Sequence, residues 1–476
     1  MDPSQHIVNV GPNGTFRQSG RFATTPADID AMFDRVEAEG VETLVVHFHG
    51  GLIKEATGLA IAERMIPFYQ AAGAYPMVFV WETGMLETIR GNLGTLNDTT
   101  LFNKIVNYAI RHVAKNVGVS VGGRGPGVEI PLDEIERARA EDADFEEINA
   151  GARAGALPLD EAELEAHRPE IEVEIEADIE DDDELRAALA EEADGTPLLE
   201  VPQEDDPGAR GIFELAWVAK AIASIVFRTI RRFLSRRDHG VIATVVEETL
   251  REVYVADAGA WMWGGMKTIA EAMWKPNAEP IGDDDHVGTH FLDRLADLHG
   301  RRPNLAVDLV GHSAGSIAIA HLLSAARGTH PDLRFRHVVL LAPAATCEVF
   351  NTQIGGADDV YEDFRMFTMT DETERQDRLL PGVYPHSLLY LVSGVLEDEA
   401  DMPLCGLDRH TGRLAPYDVA PGADTHTFLR GDVVDRLVLS PTRQRAAAGL
   451  RTSARRHADF DNDELTLASL AAIVKS

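Results

Sequence analysis

The sequence predicts an α/β protein with a mostly parallel central sheet flanked by helices, and three segments carry this prediction. Apolar runs of strand length occupy residues 44–48 and 75–81, and residues 55–72 between them have helical spacing. Two strands joined by a helix through short links form a βαβ unit, in which the strands are parallel. A third apolar run, residues 305–310, leads directly into a helix-like segment, residues 316–323. Strand and helix therefore alternate repeatedly along the chain.

The remaining elements follow from the same two periodicities, which are two residues in a strand and 3.6 in a helix. Further strands are predicted at residues 6–10, 336–343, 365–370 and 425–429. Helices are predicted at residues 27–38, 101–117, 215–237, 244–254, 261–274, 387–397 and 464–474. The strands fall into two groups, and the long interval that separates the groups is mainly helical.

The turn after the third apolar run has the pattern G-x-S-x-G, formed by Gly311, His312, Ser313, Ala314 and Gly315. This pattern is typical of a strained corner between a strand and a helix that exposes a nucleophilic serine. The two glycines lack a Cβ, which allows a sharp bend and a close approach of helix and strand. Ser313 is therefore the candidate nucleophile, and the amide of Ala314 is a candidate oxyanion donor. An ordinary glycine-rich turn is the alternative.

With this motif and its flanking strand and helix, the sequence resembles the α/β-hydrolase superfamily, most closely its lipase and esterase-like members. The resemblance implies a sheet of the α/β-hydrolase type with a large, mainly helical insertion before the nucleophile strand. It also implies a triad in the chain order serine, acid, histidine and an acyl-enzyme intermediate. Such chemistry requires no cofactor, and we expect none.

A second part of the oxyanion hole is implied where His49, Gly50 and Gly51 follow a predicted strand. In lipases and esterases a His-Gly pair occurs at this point, and the resemblance places the donor on Gly51, joined by Leu52 or Gly50. His47 and His49 also have a spacing known from metal sites. Because the residues that follow supply no further ligand, no metal site is expected here.

The acid of the triad is implied at the end of the second strand beyond the nucleophile. By the resemblance this residue is Asp371, which directly follows the predicted strand 365–370. Asp377 and Glu372 are alternatives. A purely structural role for Asp371, as the cap of a helix, is also open.

The base must be a histidine beyond the acid, which leaves His386, His410, His426 and His457. The resemblance places it in the loop before the last helix, and His457 occupies that position. Asp461 or Asp463 would cap the helix. His426 is the alternative base, because the interval from Asp371 to His457 is long.

Acidic residues dominate one part of the chain and leave the rest only mildly acidic. The chain of 476 residues has a formal net charge of −35, and residues 129–206 contain 30 acidic residues and 5 arginines. Nucleic acid is not an expected partner, because phosphate binding requires basic patches. High charge and few aromatic residues predict a mainly flexible segment, with a half-exposed strand through residues 170–184 as the alternative. A protein partner of this segment is open.

The predicted helix 215–237 has one apolar face, and arginines and a lysine lie on its other side and at its end. Three interpretations are open: a core helix whose basic end meets acidic residues, a lid over an apolar pocket, or a helix that lies on a membrane surface. No signal peptide is evident, two cysteines give no disulfide framework, and no apolar run reaches about 18 residues. We therefore expect a cytoplasmic protein, with peripheral membrane contact through residues 215–237 as an option.

The predicted organisation has four parts: an N-terminal half of the hydrolase core (1–118), an acidic insertion (119–210), a helical cap (211–290) and a C-terminal half of the core (291–476). The predicted function is serine-dependent hydrolysis of carboxylic esters, lipid-like esters among them. A peptidase, a thioesterase or an acyltransferase would use the same triad. A hydrolase-like scaffold without catalysis, in which the acidic segment recruits a partner, is the alternative from another class.

Overall fold

The chain forms two compact units. The first, here named the sheet unit, consists of Met1–Thr88, Met262–Asp377 and Pro403–Ser476. The second, the helical unit, consists of Ile89–Trp261 and Arg378–Met402. The computed structural model describes residues 5–51, 53–81, 91, 93–96, 98–117, 131–140, 161–194, 207–254, 256–412, 414–431 and 435–476.

Seven strands form one sheet, and every pair of neighbouring strands is parallel. In chain order the strands are β1 (Ile7–Val10), β2 (Thr43–Phe48), β3 (Tyr75–Trp81), β4 (Ala306–His312), β5 (Phe335–Leu341), β6 (Tyr361–Met369) and β7 (Leu437–Ser440). Their order across the sheet is β1-β3-β2-β4-β5-β6-β7. Helices flank the sheet, so the predicted α/β class with a parallel sheet is confirmed.

The register of the middle strands decides where a site can form. β2 and β4 are buried along nearly their whole length, as expected for apolar strands covered on both faces. Phe48 pairs with Gly311 at the carboxyl end of both strands. The segment that follows β2 therefore begins beside the turn that follows β4, at the edge where parallel sheets form their sites.

The sheet unit contains the helices Pro26–Ala38, Glu55–Ala71, Val287–Arg301, Gly315–Thr329, Asp371–Gln376, Gly422–Arg430 and Glu464–Val474. We name Gly315–Thr329 the elbow helix and Glu464–Val474 the closing helix. The predicted strand at 425–429 is wrong, because these residues belong to Gly422–Arg430. Thr425 and Leu429 are buried four residues apart, which is a helical spacing. The last strand is the short β7 instead.

The helical unit contains Thr100–Val117, Leu132–Ala140, Glu161–Glu180, Asp183–Asp194, Pro207–Leu234, Val241–Thr249, the π-helical turn Leu250–Tyr254, and the short turns Leu388–Leu391 and Val392–Leu396. The helix Ala256–Ala272 begins in this unit, and from Met262 its residues are part of the sheet unit. The described parts of the expected acidic insertion thus lie in the same unit as most of the expected cap.

The acidic segment differs from both expectations, because its described residues are largely helical rather than flexible or extended. In Glu161–Glu180 the buried isoleucines are Ile171, Ile175 and Ile179, whereas Val173 is 66% exposed. Alternation of glutamate with apolar residues suggested a strand, but only every fourth position is buried. A four-residue spacing places these isoleucines on one face of a helix and leaves the carboxylates in solvent.

The cationic helix Pro207–Leu234 is packed inside its unit. From Val218 onward most of its apolar side chains, Ile222 among them, are buried, and three of its arginines pair with carboxylates. Arg228 and Arg232 both pair with Glu248, and Arg231 contacts Glu165 of the acidic segment. These contacts fit the interpretation as a core helix whose basic end meets acidic residues. No helix in the described part of the chain has the length and apolarity needed to cross a bilayer.

Candidate active site

Ser313 lies on a strained corner between β4 and the elbow helix. Its φ of 51° falls in the left-handed region, which costs a residue other than glycine roughly 1–2 kcal/mol. Hydrogen bonds hold the corner in place: the Ser313 amide donates to the carbonyl of Leu341 (2.8 Å), and the amide of Ala344 donates to the carbonyl of Ser313 (3.1 Å). The hydroxyl of Ser316 donates to the same Ser313 carbonyl (2.6 Å). The strained conformation is therefore fixed from several sides.

Both glycines of the motif are required by close packing. A Cβ on Gly311 would lie 2.7 Å from Cδ1 of Ile319 and 2.9 Å from the backbone of Gly315. A Cβ on Gly315 would overlap the carbonyl oxygen of Phe48 at the end of β2. The elbow helix can thus approach the sheet only because both positions lack a side chain.

The corner brings the Ser313 hydroxyl to the imidazole of His457. Nε2 of His457 lies 2.9 Å from Oγ of Ser313, and both side chains are buried. His457 begins a short turn, His457–Asp459, just before the closing helix, whose N-cap is Asp463. The hydroxyl can donate to Nε2 of a neutral imidazole, which is the geometry of a serine activated by a general base.

The other candidate histidines have partners elsewhere. Nδ1 of His426 donates to the carbonyl of Thr411 (2.8 Å). The amide of Leu404 donates to Nδ1 of His410 (2.9 Å). His386 belongs to the helical unit, where its Nε2 donates to the carbonyl of His239 (2.7 Å). Of the four histidines, the structure brings His457 to the hydroxyl of the nucleophile.

The two candidate acids lie in different surroundings. Oδ2 of Asp377 accepts a hydrogen bond from the backbone N–H of His457 (2.7 Å), which places this carboxylate against the backbone of the candidate base. Asp371 is the first residue of the short helix Asp371–Gln376, whose N-cap is Thr370. Glu372 is exposed. A six-residue helix, Asp371–Gln376, separates the end of β6 from Asp377. The sequence prediction placed the acid directly at the strand end and did not allow for this helix.

The predicted oxyanion donors are neighbours in the structure. A Cβ on Gly50 would lie 3.4 Å from Cβ of Ser313, and a Cβ on Gly51 would lie 2.6 Å from Cβ of Ala314. The same Cβ on Gly51 would overlap Sδ of Met266. Backbone amides at this point can face an oxygen bound next to Ser313. Leu52, the further candidate, lies outside the described residues.

His49 fixes the backbone at Gly50 and Gly51, the candidate oxyanion residues, here named the oxyanion segment. Its Nδ1 donates to the carbonyl of Gly50 (2.6 Å), and the amide of Trp81 donates to its Nε2 (3.2 Å). The ring stacks on Trp81 with centroids 4.5 Å apart, and burial lowers the pKa of His49 to about 4. Because the C=O and N–H of a trans peptide point in opposite directions, the amide of Gly51 points away from His49. Both ring nitrogens are used, so His49 is not available as a metal ligand.

Two further histidines near the candidate site, His47 and His312, also have hydrogen-bond partners. Nδ1 of His47 lies 3.0 Å from the hydroxyl of Tyr69, and burial lowers the pKa of His47 to about 3. Nε2 of His312 donates to the carbonyl of His457 (3.0 Å), and the two rings are nearly parallel with centroids 5.3 Å apart. In the G-x-S-x-G pattern His312 occupies a variable position, so the pattern gives it no role. No spacing rule links it to a residue 145 positions later.

Among the described residues of the helical unit, the side chains of His112, Glu174 and Asp178 have a composition that could hold a metal ion. Nε2 of His112 lies 3.0 Å from Asp178, and Arg111 lies 3.7 Å from the same carboxylate. Lys115 contacts Glu174. The two cations already balance these carboxylates, so the group is better described as an ion-pair network.

Comparison with known proteins finds no matching family model, no matching curated protein and no matching solved structure. The likeness of the G-x-S-x-G segment to α/β hydrolases therefore stays a resemblance. Function has to be inferred from the positions of the side chains themselves.

Proposed function

We propose that this protein is a serine hydrolase that cleaves carboxylic esters, with Ser313 as the nucleophile and His457 as the general base. The observation that carries the proposal is the 2.9 Å distance between Oγ of Ser313 and Nε2 of His457. A buried serine–imidazole pair on a strained corner is the arrangement expected of an activated nucleophile. In this proposal Asp377 is the acid, because its carboxylate contacts the residue that supplies the base.

The proposed reaction has two halves. Oγ of Ser313 attacks the ester carbonyl while Nε2 of His457 takes its proton, and His457 then returns that proton to the departing alcohol. Water next attacks the acyl group on Ser313, His457 accepts a proton from the water, and the carboxylic acid leaves as the hydroxyl of Ser313 is restored. Amides of Ala314 and Gly51 would bind the oxyanion in both halves. Asp377 would stabilise the imidazolium.

Chain order supports an α/β-hydrolase type of fold. The proposed nucleophile, acid and base occur as Ser313, Asp377 and His457, which is the order serine, acid, histidine of that superfamily. In this proposal residues 89–261 of the helical unit are an insertion between β3 and β4. The cationic helix gives no support to lipid-like substrates, because its arginines pair with carboxylates of its own unit.

The test is covalent labelling of the purified protein with a fluorophosphonate, together with hydrolysis of a short p-nitrophenyl ester. We expect the wild type to be labelled and active, and Ser313→Ala to lose both properties while its circular dichroism is unchanged. Ser324→Ala is the matched control, since Ser324 is exposed on the same elbow helix. Labelling or hydrolysis that survives in Ser313→Ala would refute the proposal.

The outcomes also separate the competing functions. Thioesters, peptides and an alcohol acceptor offered to the same preparation distinguish a thioesterase, a peptidase and an acyltransferase, since all share the acyl-enzyme. A wild-type protein that resists the fluorophosphonate would instead be a hydrolase-like scaffold, because only an activated serine reacts.

A further inference from the structure

An open cavity of about 410 Å³ lies in the helical unit, within the volume range of small-molecule sites. It is lined chiefly by the side chains of Asn103, Lys104, Asn107, Glu136, Arg139 and Glu184. All of these residues belong to the helical unit, whereas Ser313 and His457 belong to the sheet unit.

Arg139 is the unusual member of this lining. Only 7% of the residue is exposed, and its guanidinium donates to the amide oxygens of Asn107 (2.7 Å) and Asn103 (3.2 Å). In the described part of the chain its hydrogen-bond partners are thus neutral, and its Nε has none. Burial lowers the pKa of Arg139 to about 10, and the nearby carboxylate of Glu136 offsets only part of this effect. A buried cation in this state is costly unless an anion joins it.

Further hydrogen bonds orient the two asparagines so that their amide oxygens face Arg139. The amide nitrogen of Asn103 donates to the carbonyl of Thr99 (3.1 Å), and that of Asn107 donates to Glu136 (3.2 Å). Each amide therefore presents its oxygen to Arg139, and the guanidinium is fixed in one position. A fixed guanidinium is well suited to bind a carboxylate through two parallel hydrogen bonds.

The other charges of the lining limit what the ligand can be. Lys104 pairs with Asp182 (3.1 Å) and Glu184 (2.9 Å), so its charge is already balanced. Glu136 and Glu184 add negative charge to the wall. A doubly charged anion such as phosphate would be repelled by these carboxylates. A singly charged acid that also carries a hydrogen-bond donor would satisfy Arg139 and the carboxylates together.

We propose that this cavity binds a small carboxylic acid that carries a neighbouring hydroxyl or ammonium group. The carboxylate of the ligand contacts Arg139, and the donor group contacts Glu136 or Glu184. The proposal does not depend on the chemistry of Ser313, so the two can fail independently.

Isothermal titration calorimetry on the full chain tests the site with an α-hydroxy acid, an α-amino acid, inorganic phosphate and glycerol at millimolar concentration. We expect one of the two acids to bind and phosphate and glycerol not to bind. Arg139→Gln should weaken binding by about tenfold or more, the order expected for a lost charge-assisted hydrogen bond. Arg137→Gln is the matched control, because Arg137 is exposed on the same helix and pairs with Asp133.

Glu136→Gln tests the proposed contact with the donor group of the ligand and leaves Arg139 in place. This variant should weaken binding of an ammonium-bearing acid more than binding of a hydroxy acid. Circular dichroism and fluorophosphonate labelling should be unchanged in all three variants. Absence of heat with both acids, equal affinity in Arg139→Gln and the wild type, or a preference for phosphate would each overturn the proposal.

Discussion

The imidazole of His312 donates a hydrogen bond of 3.0 Å to the backbone carbonyl of His457, and the two rings lie nearly parallel. His312 directly precedes the candidate nucleophile, so this bond joins the elbow to the loop that carries the candidate base. The N–H of His457 is held from another direction by Asp377. Both backbone polar groups of His457 are therefore fixed by side chains, which positions its ring against Ser313.

Replacement of His312 tests this positioning role. His312→Phe keeps a planar ring beside His457 but removes the donor, and we expect kcat/KM for a p-nitrophenyl ester to fall about tenfold, since a displacement of about 1 Å is costly in catalysis. His312→Gln retains an N–H donor and should recover part of the rate. A rate for His312→Phe equal to the wild type would show that the ring fills space only.

The acid is identified by a pair of substitutions. Asp377→Asn should lower kcat by about 10²–10⁴-fold, the usual contribution of a general base, because a neutral amide removes the negative charge beside His457 and weakens the hydrogen bond that holds the His457 backbone. Asp371→Asn should leave kcat nearly unchanged and cost a few tenths of a kcal/mol at the start of a helix. Both are measured by ester hydrolysis and urea unfolding. The reverse pattern would return the role to Asp371.

A methyl group at Gly51 should disable the oxyanion segment. Its Cβ would lie 2.6 Å from Cβ of Ala314, a backbone-anchored atom that cannot rotate away. We expect Gly51→Ala to lower kcat by about 10²–10³-fold, the usual effect of losing one oxyanion donor. Gly264→Ala is the matched control, because its Cβ would meet no atom within 4 Å. If Gly51→Ala retains the wild-type kcat, the donor lies elsewhere.

The low pKa of the buried His47 predicts that the free energy of unfolding decreases as the pH falls. The pKa of His47 is about 3 in the folded protein and 6.5 in its reference state. Between these values the unfolded chain binds more protons, so the free energy of unfolding decreases as the pH falls below 6.5. His47→Asn should reduce this dependence by up to about 1.4 kcal/mol per pH unit.

Urea unfolding at several pH values measures that dependence. Thr57→Asn, which introduces the same residue at an exposed position of the same unit and removes no titratable group, is the control and should keep the wild-type slope. An unchanged slope in His47→Asn would mean that His47 is accessible to protons in the folded state.

Local patterns predicted much of the sheet unit. The predicted strand 75–81 and the predicted closing helix 464–474 match the observed bounds. The resemblance also implied that Ser313 and His457 lie close together, and Nε2 of His457 lies 2.9 Å from Oγ of Ser313. These features could be predicted because apolar periodicity and glycine placement act within a few residues. The class of the fold follows from them through the rules for parallel strands.

Other features depend on contacts that no local pattern contains. Asp377 lies six residues beyond the strand-end position that indicated Asp371, and only tertiary structure brings it to His457. In the acidic segment, the alternation that suggested an extended strand coincided with a helical spacing at Ile171 and Ile175. Which of the two structures forms depends on which side chains are buried, and burial in turn depends on the helices that pack against the isoleucine face.

The left-handed conformation of Ser313 means that the fold itself would prefer a different residue there. Glycine adopts a φ of 51° without strain, whereas serine pays roughly 1–2 kcal/mol to do so. Under the proposed function, selection for folding and selection for chemistry act in opposite directions at a single codon. The proposal then predicts that descendants that no longer need a nucleophile drift towards glycine at this position before the surrounding core changes.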